Sequence, residues 1–305
     1  MTVKLTVRSA IWRSHVARTA AEVDGLVPVV KGNGYGFGRA WLAGVAAEFA
    51  DTVAVGTIHE LDGLPPELTV VVLTPTLVPP RSTGPILTVG RAEHVAALEG
   101  WYGRVTVKLT SAMQRYGSGA ELIETCLDVG LDVAGVSIHP PLAGSATDHV
   151  NGILASTERL DPAVPIWLSH IDAATYAALP AGRTYRLRLG TQLWHGDKSA
   201  LHLGADVLDV RSIAAGAAAG YRLGVVPTDG HLVMIGAGTA NGVAPLPDGR
   251  SPFHFDQHRL ALHEPPHMHT SMAFVPAGDP FPGIGDWVDV QRPLTMTAVD
   301  VYEWL

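Results

Sequence analysis

The residue in this sequence that is best placed for covalent chemistry is Lys31, which follows an apolar segment and precedes a glycine-rich one. Three of the four residues at 27–30 are valine, which is typical of a strand buried on both faces. Residues 32–38 then contain four glycines. A lysine amine at the end of such a strand can attack a carbonyl carbon, and glycines let the backbone approach an anion closely. This combination suits a phosphorylated aldehyde, most commonly pyridoxal phosphate, although a lysine that merely extends from a strand end is the alternative.

The composition indicates a folded chain without nucleic-acid or membrane partners. The 305 residues are 47% hydrophobic, which is enough for one large domain and a smaller one. The net charge of −8, with basic residues scattered, gives little support to binding of nucleic acid or of a membrane surface. The single cysteine, Cys126, lies in an apolar helical pattern and is expected in the core. Residues 1–11 lack the apolar region of a signal peptide and no run reaches transmembrane length, so we expect a cytoplasmic protein.

The order of strand and helix patterns predicts the element that positions Lys31. About eight strand–helix units between residues 14 and 200 predict an α/β fold, a (β/α)8 TIM-like barrel. Residues 201–305 show short segments of alternating polar and apolar residues, with many Gly and Pro between them. This pattern predicts a C-terminal β-rich domain. We therefore expect domains at 1–200 and 201–305, with the first strand joining the second domain. The residues expected at or just past strand ends of the barrel, where its chemistry would lie, are Lys31, Arg115, His139, His170 and Arg188.

The segment around Lys31 resembles a known motif. Residues 29–38 read V-V-K-G-N-G-Y-G-F-G, which is similar to V-V-K-A-N-A-Y-G-H-G, the cofactor-lysine motif of the alanine racemase family of fold-type III pyridoxal-phosphate enzymes. Gly32 and Gly34 stand where that family has alanine. The resemblance implies that pyridoxal 5'-phosphate is the cofactor, that Lys31 is its Schiff-base lysine, and that Tyr35 binds its phosphate.

A second segment resembles the same family further along the chain. Residues 104–117, R-V-T-V-K-L-T-S-A-M-Q-R-Y-G, are similar to the family's V-K-[IV]-D-T-G-M-x-R-[LI]-G, although residues 110–112 are not Asp-Thr-Gly. The resemblance implies that Arg115 binds the phenolic oxygen of the cofactor, for which a planar guanidinium is well suited. It also matches Lys108 to a lysine that is often carbamylated and holds that arginine. A surface arginine beside a strand lysine is the alternative.

A third segment carries the second arginine. Residues 188–194, R-L-G-T-Q-L-W, are similar to the family's R-P-G-I-x-L-Y. The resemblance implies that Arg188 meets the pyridine nitrogen of the cofactor and that the amides of Gly190 and Thr191 bind the phosphate. An arginine at that nitrogen keeps it unprotonated, because two positive charges would repel. The alternative is a strand-end arginine in an ion pair.

Three further residues are candidates on weaker grounds. His139 occupies the position of a family histidine that lies near the cofactor ring, and a hydrogen-bonded histidine at a barrel end is the alternative. Ser169 and His170 stand where the family has an asparagine–serine contact to phosphate, without a clean alignment of the serine.

The last third of the chain departs from the family. Racemisation needs a base on each face of the substrate Cα, and the family uses the Schiff-base lysine and a tyrosine from the partner subunit. Residues 232–242 match the segment that carries this tyrosine, but its position holds Ala237 or Thr239, neither of which suits general-base work.

A histidine cluster lies nearby in the sequence, at His254, His258, His263, His267 and His269. If the H-x-H pair His267 and His269 lies on a strand, both imidazoles point to one face, which would suit a divalent metal together with Glu264. Either histidine could instead replace the missing tyrosine as a base near neutral pH. A polar loop of unpaired histidines is the third interpretation.

Together, the resemblance predicts a pyridoxal-phosphate-dependent amino-acid isomerase, a racemase acting on a small amino acid, as a homodimer. The predicted catalytic residues are Lys31, His267 and His269. Two alternatives stay open because the family tyrosine is absent. One is a lyase or aldolase, with or without a metal at His267 and His269, and the other is a non-catalytic protein that binds the cofactor.

Overall fold

Residues 2–305, which the computed structural model describes, form seven α-helices and nineteen β-strands. The strands are β1 (Val3–Val7), β2 (Leu26–Pro28), β3 (Thr52–Val55), β4 (Thr69–Val72), β5 (Ile86–Val89), β6 (Arg104–Lys108), β7 (Asp132–Ser137), β8 (Ile166–Ser169), β9 (Tyr185–Leu189), β10 (Leu201–Ile213), β11 (Ala218–Ala219), β12 (Gly224–Val225), β13 (Gly230–Ile235), β14 (Phe253–Phe255), β15 (His258–Arg259), β16 (Ala261–Leu262), β17 (Ser271–Pro276), β18 (Trp287–Val290) and β19 (Val301–Trp304). The helices are α1 (Ser9–Ala21), α2 (Arg39–Ala46), α3 (Ala92–Ala96), α4 (Leu122–Asp128), α5 (Ala146–Thr157), α6 (Ala173–Ala177) and α7 (Thr191–His195).

The chain divides into two compact units. One comprises His15–Gly196, and the other comprises the N-terminal segment through Ser14 together with Asp197–Leu305. Nowhere in the part of the chain that the structure describes is there a helix both long enough and apolar enough to span a bilayer.

The unit His15–Gly196 is a closed barrel of eight parallel strands. Its strands pair in the order β2-β9-β8-β7-β6-β5-β4-β3. The barrel closes where Val29 forms a parallel bridge with Ala54 and the Val30 amide donates to the Ala54 carbonyl at 2.8 Å. Strands β3, β5 and β8 are buried along their whole length, as the valine-rich runs predict for parallel strands covered on both faces. The predicted TIM-like barrel is confirmed.

Helices fill the outer layer unevenly. A short 3-10 turn, Ile58–Glu60, connects β3 to β4, and residues 73–85 connect β4 to β5 with four prolines. Proline lacks an amide hydrogen and restricts the residue before it, so a helix cannot form there. Cys126 lies in α4 and is fully buried as a free thiol, as expected of a core residue, and burial raises its pKa to about 11.

The other unit is rich in β structure, which also confirms the predicted fold class. Its main sheet runs β15-β14-β18-β10-β13-β17-β16. The N-terminal strand β1 belongs to this sheet, because it pairs antiparallel with β10 and parallel with β19. The long strand β10 pairs with β13 through a register shift between Val207 and Asp209. A small cluster of Val226, Leu232 and Phe274 packs beneath the sheet.

The loop that follows β2 owes its shape to its glycines. Gly32 and Gly34 have φ of +65° and +63°, and Tyr35 between them and the next glycine has φ of +55°. The loop is closed by its own backbone, since the Gly34 amide donates to the Lys31 carbonyl at 3.2 Å and the Gly38 amide to the Asn33 carbonyl at 3.0 Å. Left-handed conformations of this kind cost little for glycine and more for any residue with a Cβ.

We predict that the alanines of the resembling motif are not interchangeable with these glycines. A Cβ at residue 34 would lie 2.4 Å from the carbonyl carbon of Gly38, whereas a Cβ at residue 32 meets nothing within 4 Å. Both substitutions carry the backbone cost of the left-handed region, about 1 kcal/mol. Gly34→Ala adds an overpacking cost and should lower the free energy of unfolding by at least about 1 kcal/mol more than Gly32→Ala does.

Urea unfolding of the two variants measures this difference, with Gly32→Ala as the matched control. Equal losses of stability in both variants would contradict the loop conformation described for Gly34.

Candidate active site

The barrel unit contains a cavity of about 620 Å³ at the ends of its strands, within the usual range for small-molecule sites. All eight residues that the sequence predicts to bind a cofactor line it, namely Lys31, Tyr35, Arg115, His139, Ser169, Arg188, Gly190 and Thr191. They come from different strands of the barrel, and the chain brings them together because parallel strands all end on the same side. Their individual roles stay predictions.

The cavity concentrates positive charge. Lys31, Lys108, Arg115 and Arg188 line it, and among the described residues that do so Asp172 is the one acid. The carboxylate of Asp172 accepts the Thr175 amide at 2.7 Å as the N-cap of α6, and this hydrogen bond lowers its pKa. Since the whole chain has a net charge of −8, this concentration of cations is a local feature and favours an anionic ligand.

Arg188 is buried at the end of β9 and is held by uncharged partners. Its Nε donates to the Leu168 carbonyl at 3.2 Å, and its Nη2 donates to the Ile138 carbonyl and to Ser169 Oγ, both at 3.0 Å. Burial lowers the pKa of the guanidinium to about 10, so it remains protonated at neutral pH. These bonds use Nε and Nη2, which leaves Nη1 for a ligand. The alternative of an ion pair is not realised among the described residues.

His139 is tied to Arg188 through Ser169. Ser169 Oγ lies 2.5 Å from His139 Nδ1, and the imidazole centroid lies 4.0 Å from that of His170. Burial, and then the nearby His170, Arg188, Lys108 and Lys31, lower the pKa of His139 to about 2. This imidazole is therefore neutral over the whole physiological range.

Lys108, at the end of β6, is a buried amine without a partner. Its side chain is 7% exposed, and its Nζ makes no hydrogen bond in the described part of the chain. Burial lowers the pKa of this amine to about 7, with further lowering by Arg188 and Arg115. A buried donor of this kind is costly unless a ligand or a modification satisfies it.

Tyr35 forms a close contact with Gly190, which lies two residues after Arg188 in the chain. A Cβ at residue 190 would lie 1.9 Å from Tyr35 Oη, so only glycine lets the hydroxyl approach this backbone. Burial raises the pKa of Tyr35 to about 12, which keeps the phenol protonated and able to donate. His195 Nε2 lies 2.7 Å from the Tyr35 carbonyl and steadies the loop.

Sequence reasoning missed Glu60, which anchors the Lys31 loop. Its Oε2 accepts the Gly32 amide at 3.1 Å and the Gly56 amide at 2.8 Å. Glu60 is far from Lys31 in the chain, and only the pairing of β2 with β3 brings the two together. It also missed Tyr116, which donates to the Leu73 carbonyl at 3.3 Å; its position directly after Arg115 in the second motif was the available signal.

The two histidines predicted as catalytic, His267 and His269, belong to the β-rich unit. They lie on the loop between β16 and β17 and not on a strand, so the strand geometry that would place both imidazoles on one face is absent. His267 Nε2 is 2.7 Å from Glu264 Oε1, and its ring packs on that of Tyr221 with centroids 4.5 Å apart. His269 is exposed.

Other residues of the β-rich unit bear on the proposed metal site and on the position of the family tyrosine. In the described residues, no three His, Cys, Asp or Glu side chains lie close enough to hold a metal ion. Glu264 is itself buried and accepts the backbone amides of Tyr221 and Arg222 at 3.1 and 3.3 Å, so it fixes a hairpin as well as His267. Ala237 is fully buried, and Thr239 begins a short 3-10 turn, so neither supplies a phenol.

Comparison with known proteins agrees with this geometry. The family model for the alanine racemase N-terminal domain matches residues 12–190, more than half of the 305 residues. No functionally curated protein matches the chain.

Solved structures with the same fold cover the whole chain. Alanine racemase from Bartonella henselae, with covalently bound pyridoxal phosphate, aligns over 100% of both chains with a TM-score of 0.75 at 17% identity. Alanine racemase of Clostridium difficile 630 aligns over 100% of this chain and 96% of its own with a TM-score of 0.75 at 16% identity. Alanine racemase from Acinetobacter baumannii aligns over 100% of both chains with a TM-score of 0.70 at 16% identity. At these identities the likeness concerns the fold, and the family model adds the relationship: the chain belongs to the alanine racemase family.

Proposed function

We propose that this protein is a pyridoxal-phosphate-dependent enzyme that acts at Cα of a small amino acid, with racemisation as its reaction. The observation that carries the proposal is the cavity in which Lys31 lies with three further cations, Lys108, Arg115 and Arg188, beside a single acid. An amine for the aldehyde and an excess of positive charge for a phosphate and a phenolate are what this cofactor requires.

The residues present fit the cofactor on grounds internal to the chain. The unpartnered amine of Lys108 and the protonated Arg188 without a carboxylate both need negative charge nearby. The close approach of Tyr35 Oη to the backbone of Gly190 brings a hydroxyl donor beside a backbone that has no side chain, an arrangement that suits phosphate binding. We propose that Tyr35, Gly190 and Thr191 hold the phosphate.

The other cavity residues would hold the ring. Arg188 would face the ring nitrogen, Arg115 the phenolic oxygen, and His139 with Ser169 would lie near the ring. When bound, the cofactor supplies a sink for the electron pair that remains when a proton leaves Cα. Arg188 stays positive at neutral pH, so it would donate to the ring nitrogen and would keep this nitrogen unprotonated. Lys31 would bind the aldehyde carbon covalently and move a proton at its Nζ.

Several parts of the proposal rest on the family relationship. These are the small amino-acid substrate, the homodimer and the cytoplasmic location. His267 and His269 stay predicted catalytic residues, and the bond of His267 to Glu264 would orient an imidazole used as a base. A lyase reaction at the same amine and a non-catalytic cofactor-binding role are the competing functions, since Ala237 or Thr239 stands at the position of the family tyrosine.

We predict that the purified protein binds pyridoxal 5'-phosphate covalently at Lys31. The loaded protein should absorb in the visible range, and after borohydride reduction a phosphopyridoxyl adduct should map to Lys31 by peptide mass analysis. Lys31→Ala should lose the adduct, whereas Lys198→Ala, which changes an exposed lysine, should keep it. An adduct on another lysine, or none, would remove the basis of the proposed function.

We also predict a pH-dependent stability caused by Lys108. In the unfolded chain the pKa of a lysine amine is about 10.4, whereas in the folded protein the pKa of Lys108 is lowered to about 7. Between these values the unfolded state binds more protons, so stability rises with pH across this interval. In the cofactor-free protein, Lys108→Met should therefore raise the free energy of unfolding at pH 6, by an amount on the order of a few kcal/mol. The gain should shrink toward pH 10.

Denaturant unfolding in buffer free of carbon dioxide, at pH 6, 8 and 10, measures the effect. Lys198→Met is the matched control and should show no such trend. A gain for Lys108→Met that is the same at all three pH values would mean that the amine is not buried as described.

A further inference from the structure

The geometry points to His170 as a catalytic proton acceptor that works with Lys31, in place of the tyrosine that the family takes from a partner subunit. This inference rests on the proposed function and assigns the second base to the barrel itself. His170 directly follows β8 and lines the same cavity as Lys31, with Arg188 on the strand between them, since β9 pairs with both β8 and β2.

The hydrogen bonds of His170 decide which of its nitrogens can accept a proton. Its Nδ1 lies 2.9 Å from the Pro140 carbonyl oxygen. A carbonyl oxygen can only accept, so Nδ1 carries the hydrogen, and in the neutral ring Nε2 keeps its lone pair. An imidazole held in this tautomer by a backbone carbonyl is the arrangement that a general base requires.

The neighbouring His139 is held in the other tautomer. Ser169 Oγ accepts a hydrogen bond from Arg188 Nη2 and lies 2.5 Å from His139 Nδ1, and in the proposed arrangement the hydroxyl donates its hydrogen to this nitrogen. The hydrogen of His139 is then on Nε2. The two neighbouring rings, tilted by 57° with centroids 4.0 Å apart, therefore offer one donor, from His139, and one acceptor, from His170, in the same cavity.

The charged and titratable groups around His170 keep it neutral. Burial lowers its pKa, the Pro140 carbonyl raises it, and Arg188 on β9, Lys31 after β2 and His149 on α5 lower it further. The remaining neighbour, His139 after β7, is neutral as well. His170 can therefore take up a proton at pH 7 because it does not already hold two.

The backbone at His170 is strained. Its φ is +61°, in the left-handed region that residues with a Cβ rarely adopt. Such strain persists where the surrounding structure enforces it, commonly at active sites. The strained residue lies directly after a barrel strand, where catalytic side chains of this fold are found.

The tyrosines and the other imidazoles of the cavity are less suited to accept a proton. Tyr35 has a pKa raised to about 12 by burial, and Tyr116 donates its hydroxyl to the Leu73 carbonyl. His139 is fixed as a donor. The nearest rival is His149, whose Nε2 contacts the Ala143 carbonyl at 3.1 Å, but it lies on a helix and makes no contact with the Arg188–Ser169–His139 chain among the described residues.

The proposed step balances without a further reactant. The Cα–H bond breaks, the proton goes to Nε2 of His170, and the electron pair stays with the substrate, where the bound cofactor would stabilise it. Lys31 Nζ then delivers a proton to Cα from its own side. His170 is exposed enough to return its proton to water, and Lys31 regains one in the same way. The reverse reaction exchanges the two roles.

The test uses His170→Asn, because asparagine tolerates the left-handed conformation and carries no base. The loaded protein is incubated in D₂O with L-alanine and, separately, with D-alanine, and with both enantiomers of serine. Wild type should exchange the Cα hydrogen of both enantiomers and invert them. His170→Asn should keep exchange with one enantiomer, lose it with the other, and invert at least about 10²-fold more slowly.

Two readouts are independent of turnover. The visible absorbance and the Lys31 adduct of His170→Asn should equal those of wild type. In the cofactor-free protein, long-range ¹H–¹⁵N spectra should assign to His170 a neutral ring protonated at Nδ1, and to His139 a neutral ring protonated at Nε2. His59→Gln, at an exposed histidine of the barrel, is the control and should behave as wild type.

The outcomes distinguish failure of the proposed function from failure of the role of His170. Absence of the Lys31 adduct in wild type contradicts the proposed function, and the second-base role falls with it. With the adduct present, the role of His170 alone is overturned by unchanged inversion in His170→Asn, by loss of exchange with both enantiomers, or by a His170 ring protonated at Nε2. Selective loss in His149→Gln or His267→Ala instead would move the role to that residue, and a wild type without any exchange would show a non-catalytic protein.

Discussion

The site depends on one buried positive charge, the guanidinium of Arg188. Placing a charge inside a barrel is costly, and here the cost is offset by hydrogen bonds to the carbonyls of Leu168 and Ile138 and to Ser169 rather than by a carboxylate. The charge is therefore solvated by dipoles but not cancelled. Its field reaches Lys108, His139 and His170, whose pKa values are all lowered by burial and by this neighbour. Arg188 thus adds to the attraction of the cavity for anions and, after burial, helps to keep its imidazoles neutral.

The backbone around the cavity adopts left-handed conformations at several residues. The Lys31 loop turns through left-handed residues that include Tyr35, and His170 adopts the same region at the end of β8. A closed barrel can hold such residues because its parallel strands are paired on both sides and buried on both faces. Glu60 adds a further restraint by accepting the amides of Gly32 and Gly56, one from each of two adjacent strand ends.

The two units have departed from their family to different degrees. The barrel joins in one cavity the lysine, the two arginines and the tyrosine of the segments that resemble the family. The β-rich unit holds a buried alanine or a threonine where the family has tyrosine, and its histidines are engaged differently, with His267 bound to Glu264. His139 and His170 lie side by side at the ends of barrel strands, with ring centroids 4.0 Å apart, and are the proposed proton donor and acceptor.

The sequence by itself determined the barrel and the residues at its strand ends. Valine-rich runs at regular spacing predict parallel strands, and since such strands all end on one side, Lys31, Arg115 and Arg188 could be placed together before any coordinates were known. Only the tertiary structure decided that Ser169 joins Arg188 to His139, that Glu60 holds the Lys31 loop, and that His267 and His269 lie on a loop and not on a strand. The reason is physical. Strand periodicity is a local property of the chain, whereas the hydrogen-bond partner of a side chain depends on which residues the closed barrel brings together from distant parts of the sequence.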